Sequence, residues 1–156
     1  MKNYKVGLGF DVHKLSMKKK DFILGGIIIP SVYSLAAVSD GDVLLHAISD
    51  ALLGASGLGD IGDYFPPSAK ASKGIDSKAI IKFILKKLKN KFKIINIDTI
   101  IVTDKPRLIS HKKKILTSLK AIFSLKDINL KIKSKEGVDV LGARNSISCF
   151  CIALIK

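Results

Sequence analysis

The sequence has little of what several protein classes require. It contains no tryptophan and only 6% aromatic residues, and these are not interleaved with the basic residues, so the base-stacking platform of nucleic-acid-binding domains is not evident. The two cysteines, Cys149 and Cys151, share a face of one predicted strand and are poorly placed for a disulfide. We expect them to be buried thiols. No apolar run approaches the roughly 20 residues needed to span a bilayer.

Acidic residues are also scarce. Thirteen Asp and Glu stand against 27 Lys and Arg, which gives a formal net charge of +14. The lysine clusters at 18–20, 86–87 and 112–114 fall on predicted loops and helix surfaces. We interpret them as a solvated surface that can steer a polyanionic small molecule, so no nucleic-acid partner is expected. The N-terminal residues lack the apolar block of a signal peptide, which predicts a cytoplasmic location and no membrane partner.

The chain of 156 residues, 47% of them hydrophobic, suits one compact domain over 1–156. The residue patterns predict strands at 4–13, 22–29 (broken at Gly25-Gly26), 92–103, 130–134 and 146–155, and helices at about 41–57, 77–90 and 109–124. This alternation indicates an α/β (or α+β) single-domain sandwich, a mixed β-sheet with helices packed on one face. The connections 30–38 and 60–75 are predicted as loops, and the length of the second is typical of a functional loop.

The strongest chemical pattern lies in the first strand. Because side chains alternate between the faces of a strand, Asp11 and His13 are predicted to point the same way, a few ångströms apart. Phe10 and Val12 are predicted to point the opposite way, into apolar surroundings. A carboxylate and an imidazole held side by side are two ligands for a metal such as zinc.

A third ligand is available on the first helix. His46 follows the helix-starting residues 39–42, and Asp50 lies four residues later on the same helix face, where it is predicted to orient the imidazole. Taken alone, His46 is better explained as a core or capping histidine. Taken with Asp11 and His13, it gives a three-ligand site with an open fourth position, the arrangement typical of catalytic zinc.

Several motifs carry a family resemblance. They are Phe-Asp-Val-His at 10–13, Ser-Asp-Gly-Asp-Val at 39–43 with His46, Asp-Ala-Leu-Leu-Gly-Ala at 50–55, Leu-Gly-Asp-Ile-Gly at 58–62, and Phe-Pro at 65–66. The chain resembles the 2-C-methyl-D-erythritol 2,4-cyclodiphosphate synthase family, most densely over 7–66. The resemblance implies a homotrimer with the sheets inward and active sites between subunits. It also implies a substrate, 4-diphosphocytidyl-2-C-methyl-D-erythritol 2-phosphate, whose 2-phosphate attacks the β-phosphorus and expels CMP.

The resemblance assigns roles to individual residues. Zn²⁺ or another divalent cation is expected on Asp11, His13 and His46, and Mg²⁺ or Mn²⁺ on Glu136 with the substrate diphosphate. Ser134 and Ser39 are expected to be catalytic. The expected substrate-binding residues are Asp11, Val12, His13, Val38, Ser39, Asp60, Ile61, Gly62, Phe65, Thr103, Asp104, Lys105, Pro106, Arg107, Leu108, Ile109, Lys133, Ser134, Lys135, Glu136, Val140 and Arg144.

The sequence departs from the family pattern at three of these positions, and Ser134 stands at one of them in place of a threonine. Val38 stands where the family has a histidine that polarises the transferring phosphate, and Arg144 lies one place before the usual arginine. Two alternatives to cyclisation therefore stay open. One is a zinc-dependent hydrolase of a nucleotide diphosphate. The other is a non-catalytic binder of an isoprenoid diphosphate or nucleic acid.

Overall fold

The computed structural model describes residues 3–138 and 145–156. Val140 and Arg144, two of the expected substrate-binding residues, lie outside these ranges. The elements in chain order are β1 (Lys5–Ser16), β2 (Phe22–Leu24), β3 (Ile27–Ile29), β4 (Ser34–Ala36), α1 (Val43–Ser56), α2 (Ile61–Tyr64), α3 (Ser77–Leu88), β5 (Ile94–Val102), α4 (Lys112–Phe123), β6 (Ile128–Lys133) and β7 (Ser146–Ile155). Single 3₁₀ turns cover Lys70–Ser72 and Ile109–His111.

Five strands form a mixed sheet in the order β4-β1-β7-β5-β6. All neighbours are antiparallel except β5 and β6, which run parallel. β2 and β3 form a separate hairpin that turns at Gly25 and Gly26, both with positive φ, so the predicted break at this glycine pair is confirmed. The predicted mixed sheet is confirmed as well.

The helices cover one face of this sheet. α1 packs on β1 and β7, and α4 packs on β6, while Gly25 lies between Leu44 of α1 and Ile115 of α4. Asp42 caps α1 and Asp76 caps α3, as the sequence predicts. Cys149 and Cys151 are buried, free thiols on this covered face of β7, and burial raises the pKa of both.

On the opposite face of the sheet, the part formed by β1 and β7 is exposed and apolar. The large hydrophobic side chains exposed there belong to β1 with the residue before it, and to β7: Tyr4, Val6, Leu8, Phe10, Val12 and Ile152. As predicted, Phe10 and Val12 point away from Asp11 and His13, and Phe10 packs against the ring of Phe150 on this face. Phe10 and Val12 are each 38% exposed, because the alternation of β1 turns them away from the helices.

Two connections contain structure that the sequence patterns did not indicate. The segment predicted as the connection 30–38 contains β4, which pairs with the end of β1. The predicted loop 60–75 begins with the short helix α2 and contains the 3₁₀ turn Lys70–Ser72. All three elements are three or four residues long, too short for a periodic pattern to emerge. Within the described ranges, no helix has the length and apolar character needed to cross a bilayer.

Candidate metal centre and active site

The centre of the site is the pair of polar side chains on β1. Asp11 and His13 both point to the helix side of the sheet, as predicted, and Asp11 Oδ2 lies 3.1 Å from His13 Nε2. The other carboxylate oxygen of Asp11 accepts a hydrogen bond of 2.8 Å from the Val12 N–H. This contact orients the carboxylate so that Oδ2 faces His13.

Two glycines on β1 bring His46 to this pair. A Cβ atom at Gly9 would lie 1.8 Å from the carbonyl oxygen of Ala47, and one at Gly7 would lie 1.9 Å from that of Ala51. Only glycine permits so close an approach of the α1 backbone to the strand. As a result His46, one turn into α1, places Nδ1 2.9 Å from Asp11 Oδ2 and 3.3 Å from His13 Nε2.

These three donor atoms fit a tetrahedral divalent cation. Their mutual separations are 2.9, 3.1 and 3.3 Å. Ligands at about 2.0–2.1 Å from a tetrahedral zinc ion are about 3.3 Å apart, so only a small outward movement would admit the ion. Asp11, His13 and His46 can hold a divalent cation, as the sequence predicts, and three protein ligands leave a fourth position open.

The balance between burial and the Asp11 carboxylate shifts the pKa values of the two imidazoles in opposite directions. Burial lowers the pKa of His13, and the nearby charge of Asp11 offsets this only in part. Burial acts in the same direction on His46, but the hydrogen bond and charge of Asp11 outweigh it, so that the pKa of His46 is raised. In the metal-free site, His46 therefore becomes a charged imidazolium more readily than His13. A cation that binds to a ring nitrogen of His46 must displace the proton from that nitrogen.

Asp50 does not orient His46, contrary to the sequence prediction. Its Oδ1 accepts a hydrogen bond of 2.9 Å from the Ile61 N–H at the start of α2. Burial raises the pKa of Asp50. The residue therefore fixes the α1–α2 connection beside the site, and the contact to the remote ring nitrogen of His46 comes from other residues.

A cavity of about 370 Å³ opens beside the metal-binding side chains. Its lining includes five more of the expected site residues: Val38, Ser39, Ile61, Gly62 and Phe65. The rest of the wall is mostly apolar and comes from Ala37 and the segment 67–80. The apolar wall of such a cavity excludes water from one side of a bound ligand, and the polar side chains of the site contact the other side of the ligand.

Asp60 is exposed at the rim and serves as the N-cap of α2. It accepts a hydrogen bond of 2.7 Å from the Gly62 N–H, and its own N–H donates to Asp63. Because the Ile61 N–H is bound to Asp50, the amides of both Ile61 and Gly62 are engaged within the chain. The groups of this segment that remain available to the hydroxyl groups of a ligand are therefore acceptor oxygens.

The remaining described site residues form a second group at the end of β5 and β6. Asp104, Lys105 and Lys135 line another cavity, of about 380 Å³, whose lining shares no residue with the first. The Thr103 hydroxyl donates to the Lys105 carbonyl oxygen and so fixes the turn 103–109, which contains a cis Lys105–Pro106 peptide bond. Arg107 and Ile109 are exposed, whereas Leu108 is buried beneath them.

The second group also contains the expected magnesium ligand. Lys133, Ser134 and Glu136 are exposed, and the Ser134 hydroxyl donates a hydrogen bond to the Glu136 carboxylate. Lys135 is buried; its N–H donates to Asp104 and its ammonium group to Ser146. Among the described residues, the chain thus brings together the metal-binding half of the expected site and, separately, the turn-and-carboxylate half.

The comparisons with known proteins agree with this fold and centre. The YgbB family model matches residues 4–156. A 2-C-methyl-D-erythritol 2,4-cyclodiphosphate synthase from Kosmotoga olearia is 40% identical over 154 residues, covering 98% of this chain and 97% of the relative. The enzyme of that name from Clostridium perfringens is 42% identical over 154 residues, covering 97% of this chain and 98% of its own.

Solved structures give the same result. A 2C-methyl-D-erythritol-2,4-cyclodiphosphate synthase in a CDP-bound form superimposes with a TM-score of 0.88 at 31% identity, covering 97% of this chain and all of that one. A CDP complex of the Plasmodium falciparum protein gives 0.83 at 28% identity, covering 99% of this chain and 97% of the other. The chain therefore belongs to the YgbB family. Its relatives with curated names are 2-C-methyl-D-erythritol 2,4-cyclodiphosphate synthases, so the family resemblance seen in the sequence is confirmed.

Four residues that shape the centre were not predicted as part of it. Gly7 and Gly9 set the distance between α1 and β1, and the only signal for this was glycine at alternate positions of a strand. Asp40 and Ser77 fall at predicted helix starts, but Ser77 contacts His46 and Asp40 contacts Ser77. No local pattern links positions 31 residues apart, so only the folded chain reveals that contact.

Proposed function

We propose that this protein converts 4-diphosphocytidyl-2-C-methyl-D-erythritol 2-phosphate into 2-C-methyl-D-erythritol 2,4-cyclodiphosphate and CMP, in non-mevalonate isoprenoid precursor biosynthesis. An oxygen of the 2-phosphate forms a bond to the β-phosphorus, and the bond from that phosphorus to the α-phosphate oxygen breaks. The observation that carries the proposal is the convergence of Asp11, His13 and His46 at an apolar cavity in a chain of this family. The cytoplasmic location expected from the sequence is part of the proposal.

The residues around the centre act mainly by positioning and by excluding water. Nucleophile and electrophile belong to one molecule, so catalysis consists largely of holding them in an attack geometry. Asp11, His13 and His46 would hold Zn²⁺ or another divalent cation, which would supply a Lewis acid for a diphosphate oxygen. The hydrogen bond from the Val12 N–H keeps the Asp11 carboxylate aimed at that position, and Phe65 and its apolar neighbours form the dry wall of the cavity.

The second group is proposed to bind the cytidine and diphosphate end of the substrate. Two solved relatives are described as CDP-bound, and the turn 103–109 offers backbone groups fixed by the Thr103 hydroxyl. Ser134 is proposed to contact a phosphate, and Glu136 to bind Mg²⁺ or Mn²⁺ held with the diphosphate. Both side chains are exposed, so a substrate can reach them.

The two halves are proposed to meet between subunits of a homotrimer whose sheets face inward. The exposed apolar face supports this, because β1 and β7 place Val6 beside Leu154, Leu8 beside Ile152 and Phe10 beside Phe150. The rings of Phe10 and Phe150 lie 4.8 Å apart, which makes the face continuous. A contiguous apolar surface of this kind is typical of a protein–protein interface, and cyclic symmetry would bury three copies together.

The assembly has its own test. Leu8→Lys puts a charge in the middle of the exposed face and should dissociate the trimer to monomers in light scattering coupled to gel filtration. Ile28→Lys is the matched control, because Ile28 is 61% exposed but lies on β3, away from this face. A Leu8→Lys protein that remains trimeric would contradict the proposed interface.

The reaction is tested by product analysis. The purified protein, supplied with Zn²⁺, Mg²⁺ and the substrate, should release CMP and a cyclodiphosphate in equal amounts, which ³¹P NMR distinguishes from linear phosphates. A linear phosphate product would identify the hydrolase instead. Retention of the nucleotide without any CMP release would identify a binder. His46→Ala should abolish both turnover and zinc retention.

A further inference from the structure

The ring nitrogen of His46 that faces away from Asp11 and His13 has its own polar surroundings. His46 Nε2 lies 3.0 Å from Ser77 Oγ, the first residue of α3, and 3.3 Å from Ser39 Oγ. His46, Ser39 and Ser77 are all buried. Such neighbours hold the buried imidazole ring in one orientation, and the hydrogen bonds of the ring determine which of its two nitrogens carries the proton.

The direction of these hydrogen bonds follows from Asp40. Ser77 Oγ lies 2.5 Å from Asp40 Oδ1, and an ionised carboxylate can only accept, so the Ser77 hydroxyl proton points to Asp40. The Ser77 oxygen can then only accept from His46, which places a proton on Nε2. Ser39 Oγ is a more distant acceptor and also receives the Gly41 N–H at 3.1 Å.

Asp40 is itself fixed from several sides. Its Oδ2 accepts from the Ser77 N–H at 2.9 Å, and its Oδ1 accepts from the Asp42 N–H at 3.1 Å. Its own N–H donates to the Ile75 carbonyl oxygen at 3.1 Å. The carboxylate therefore joins the loop before α1 to the N-terminus of α3, and it cannot rotate away from Ser77 without breaking these contacts.

We propose that Asp40 and Ser77 form a positioning pair that fixes His46 as the Nε2–H tautomer and thereby presents Nδ1 as the metal-binding nitrogen. A histidine that ligates a metal usually donates its other N–H to a carboxylate or similar acceptor, and removal of that acceptor typically weakens metal binding by about 10–100-fold. Here the acceptor is a serine hydroxyl polarised by a carboxylate. This inference rests on the proposed cation site at Asp11, His13 and His46.

The test compares zinc affinity among three variants by competition with a chromophoric chelator. Ser77→Ala removes the acceptor and Asp40→Asn removes its charge, and both should weaken zinc binding, Ser77→Ala by about 10–100-fold. Ser49→Ala is the matched control, because Ser49 is a fully buried serine of α1 whose hydroxyl donates only to the Leu45 carbonyl oxygen at 2.7 Å. Its zinc affinity should equal that of the unmodified protein.

A second measurement separates positioning from a purely structural effect. In zinc-loaded protein, ¹⁵N NMR of the imidazoles should show a protected Nε2–H on His46 that disappears or exchanges rapidly in Ser77→Ala. Urea unfolding of the metal-free proteins reports whether a variant is folded, and Asp40→Asn decides the question if Ser77→Ala does not fold.

The outcomes distinguish this inference from the proposed function. Unchanged zinc affinity and an unchanged Nε2–H signal in Ser77→Ala would overturn the positioning role while the metal centre stands. An unmodified protein that binds no zinc, or whose zinc is retained in His46→Ala, would overturn the proposed centre itself.

Discussion

The substitution Gly9→Ala tests most directly how the fold builds the metal centre. The added Cβ would lie 1.8 Å from the Ala47 carbonyl oxygen, whereas real contacts of this kind essentially never fall below 3.0 Å. Because this atom belongs to the helix backbone, α1 must move outward by about 1.2 Å in a close-packed interior. The strand cannot yield easily, since it is paired with β7 along ten residues.

The displacement acts directly on the ligands, since His46 immediately precedes Ala47. The present 2.9 Å between His46 Nδ1 and Asp11 Oδ2 would grow to about 4 Å, beyond the tolerance of about 0.2 Å for ligand distances in a metal site. We expect zinc to be bound more weakly and turnover to fall by about 100-fold, a loss of rate that a misplacement of about 1 Å can cause. Overpacking should also lower the free energy of unfolding by about 1–3 kcal/mol.

The assay is zinc competition and turnover, together with urea unfolding of the metal-free protein. Gly54→Ala is the matched control, because its Cβ would meet nothing closer than the Leu8 carbonyl oxygen at 4.0 Å. It should keep its zinc and gain up to about 1 kcal/mol from helix propensity. Normal zinc affinity in Gly9→Ala would refute the reasoning that this close approach sets the ligand geometry.

The remaining predictions concern titration, the second metal and the phosphate contact. In metal-free protein, the raised pKa of His46 contributes stability that is present below pH 6.5 and is lost as the pH rises through that pKa. The lowered pKa of His13 acts in the opposite direction: its contribution to stability is present above pH 6.5 and is lost as the pH falls through that pKa. Urea unfolding between pH 5 and 8 should therefore show a larger alkaline loss of stability in the unmodified protein than in His46→Gln. Glu136→Gln should weaken the magnesium dependence of turnover but leave bound zinc unchanged, and zinc loss there would mean that the metals are wrongly assigned. Val38→His should raise kcat, since Val38 lines the cavity without a polar group; an unchanged rate would show that no donor is needed at that position.

Much of the fold follows from local patterns. The apolar spacing of α3 and α4 places Ile80, Ile84, Ile115 and Leu119 inward, as observed, because a surface helix shows its buried stripe in the sequence. The continuous apolar run of β7 identifies a central strand. The alternation of β1 correctly puts Asp11 and His13 on one face.

The contacts that the sequence did not predict correctly depend on residues distant in the chain, which a local pattern does not contain. An apolar residue predicts apolar surroundings but does not show which molecule supplies them. The sequence therefore does not distinguish Phe10 on the open face from a residue of the core. Asp50 has the spacing to reach His46 along α1, but α2 supplies the Ile61 N–H as a competing donor. The docking of His46 depends on the Gly9 contact with α1, a property of the packed structure.

The two faces of β1 leave this strand almost no freedom to change in length. Asp11 and His13 serve the metal centre on one side, while Leu8 and Phe10 form the apolar surface on the other. Insertion or loss of a single residue between Gly7 and Gly9 would exchange the sides of everything beyond it. Charged ligands would then face the apolar surface, and aromatic rings would meet α1. Substitutions can alter this strand one property at a time, but a length change would disrupt the cation site and the apolar surface in one step.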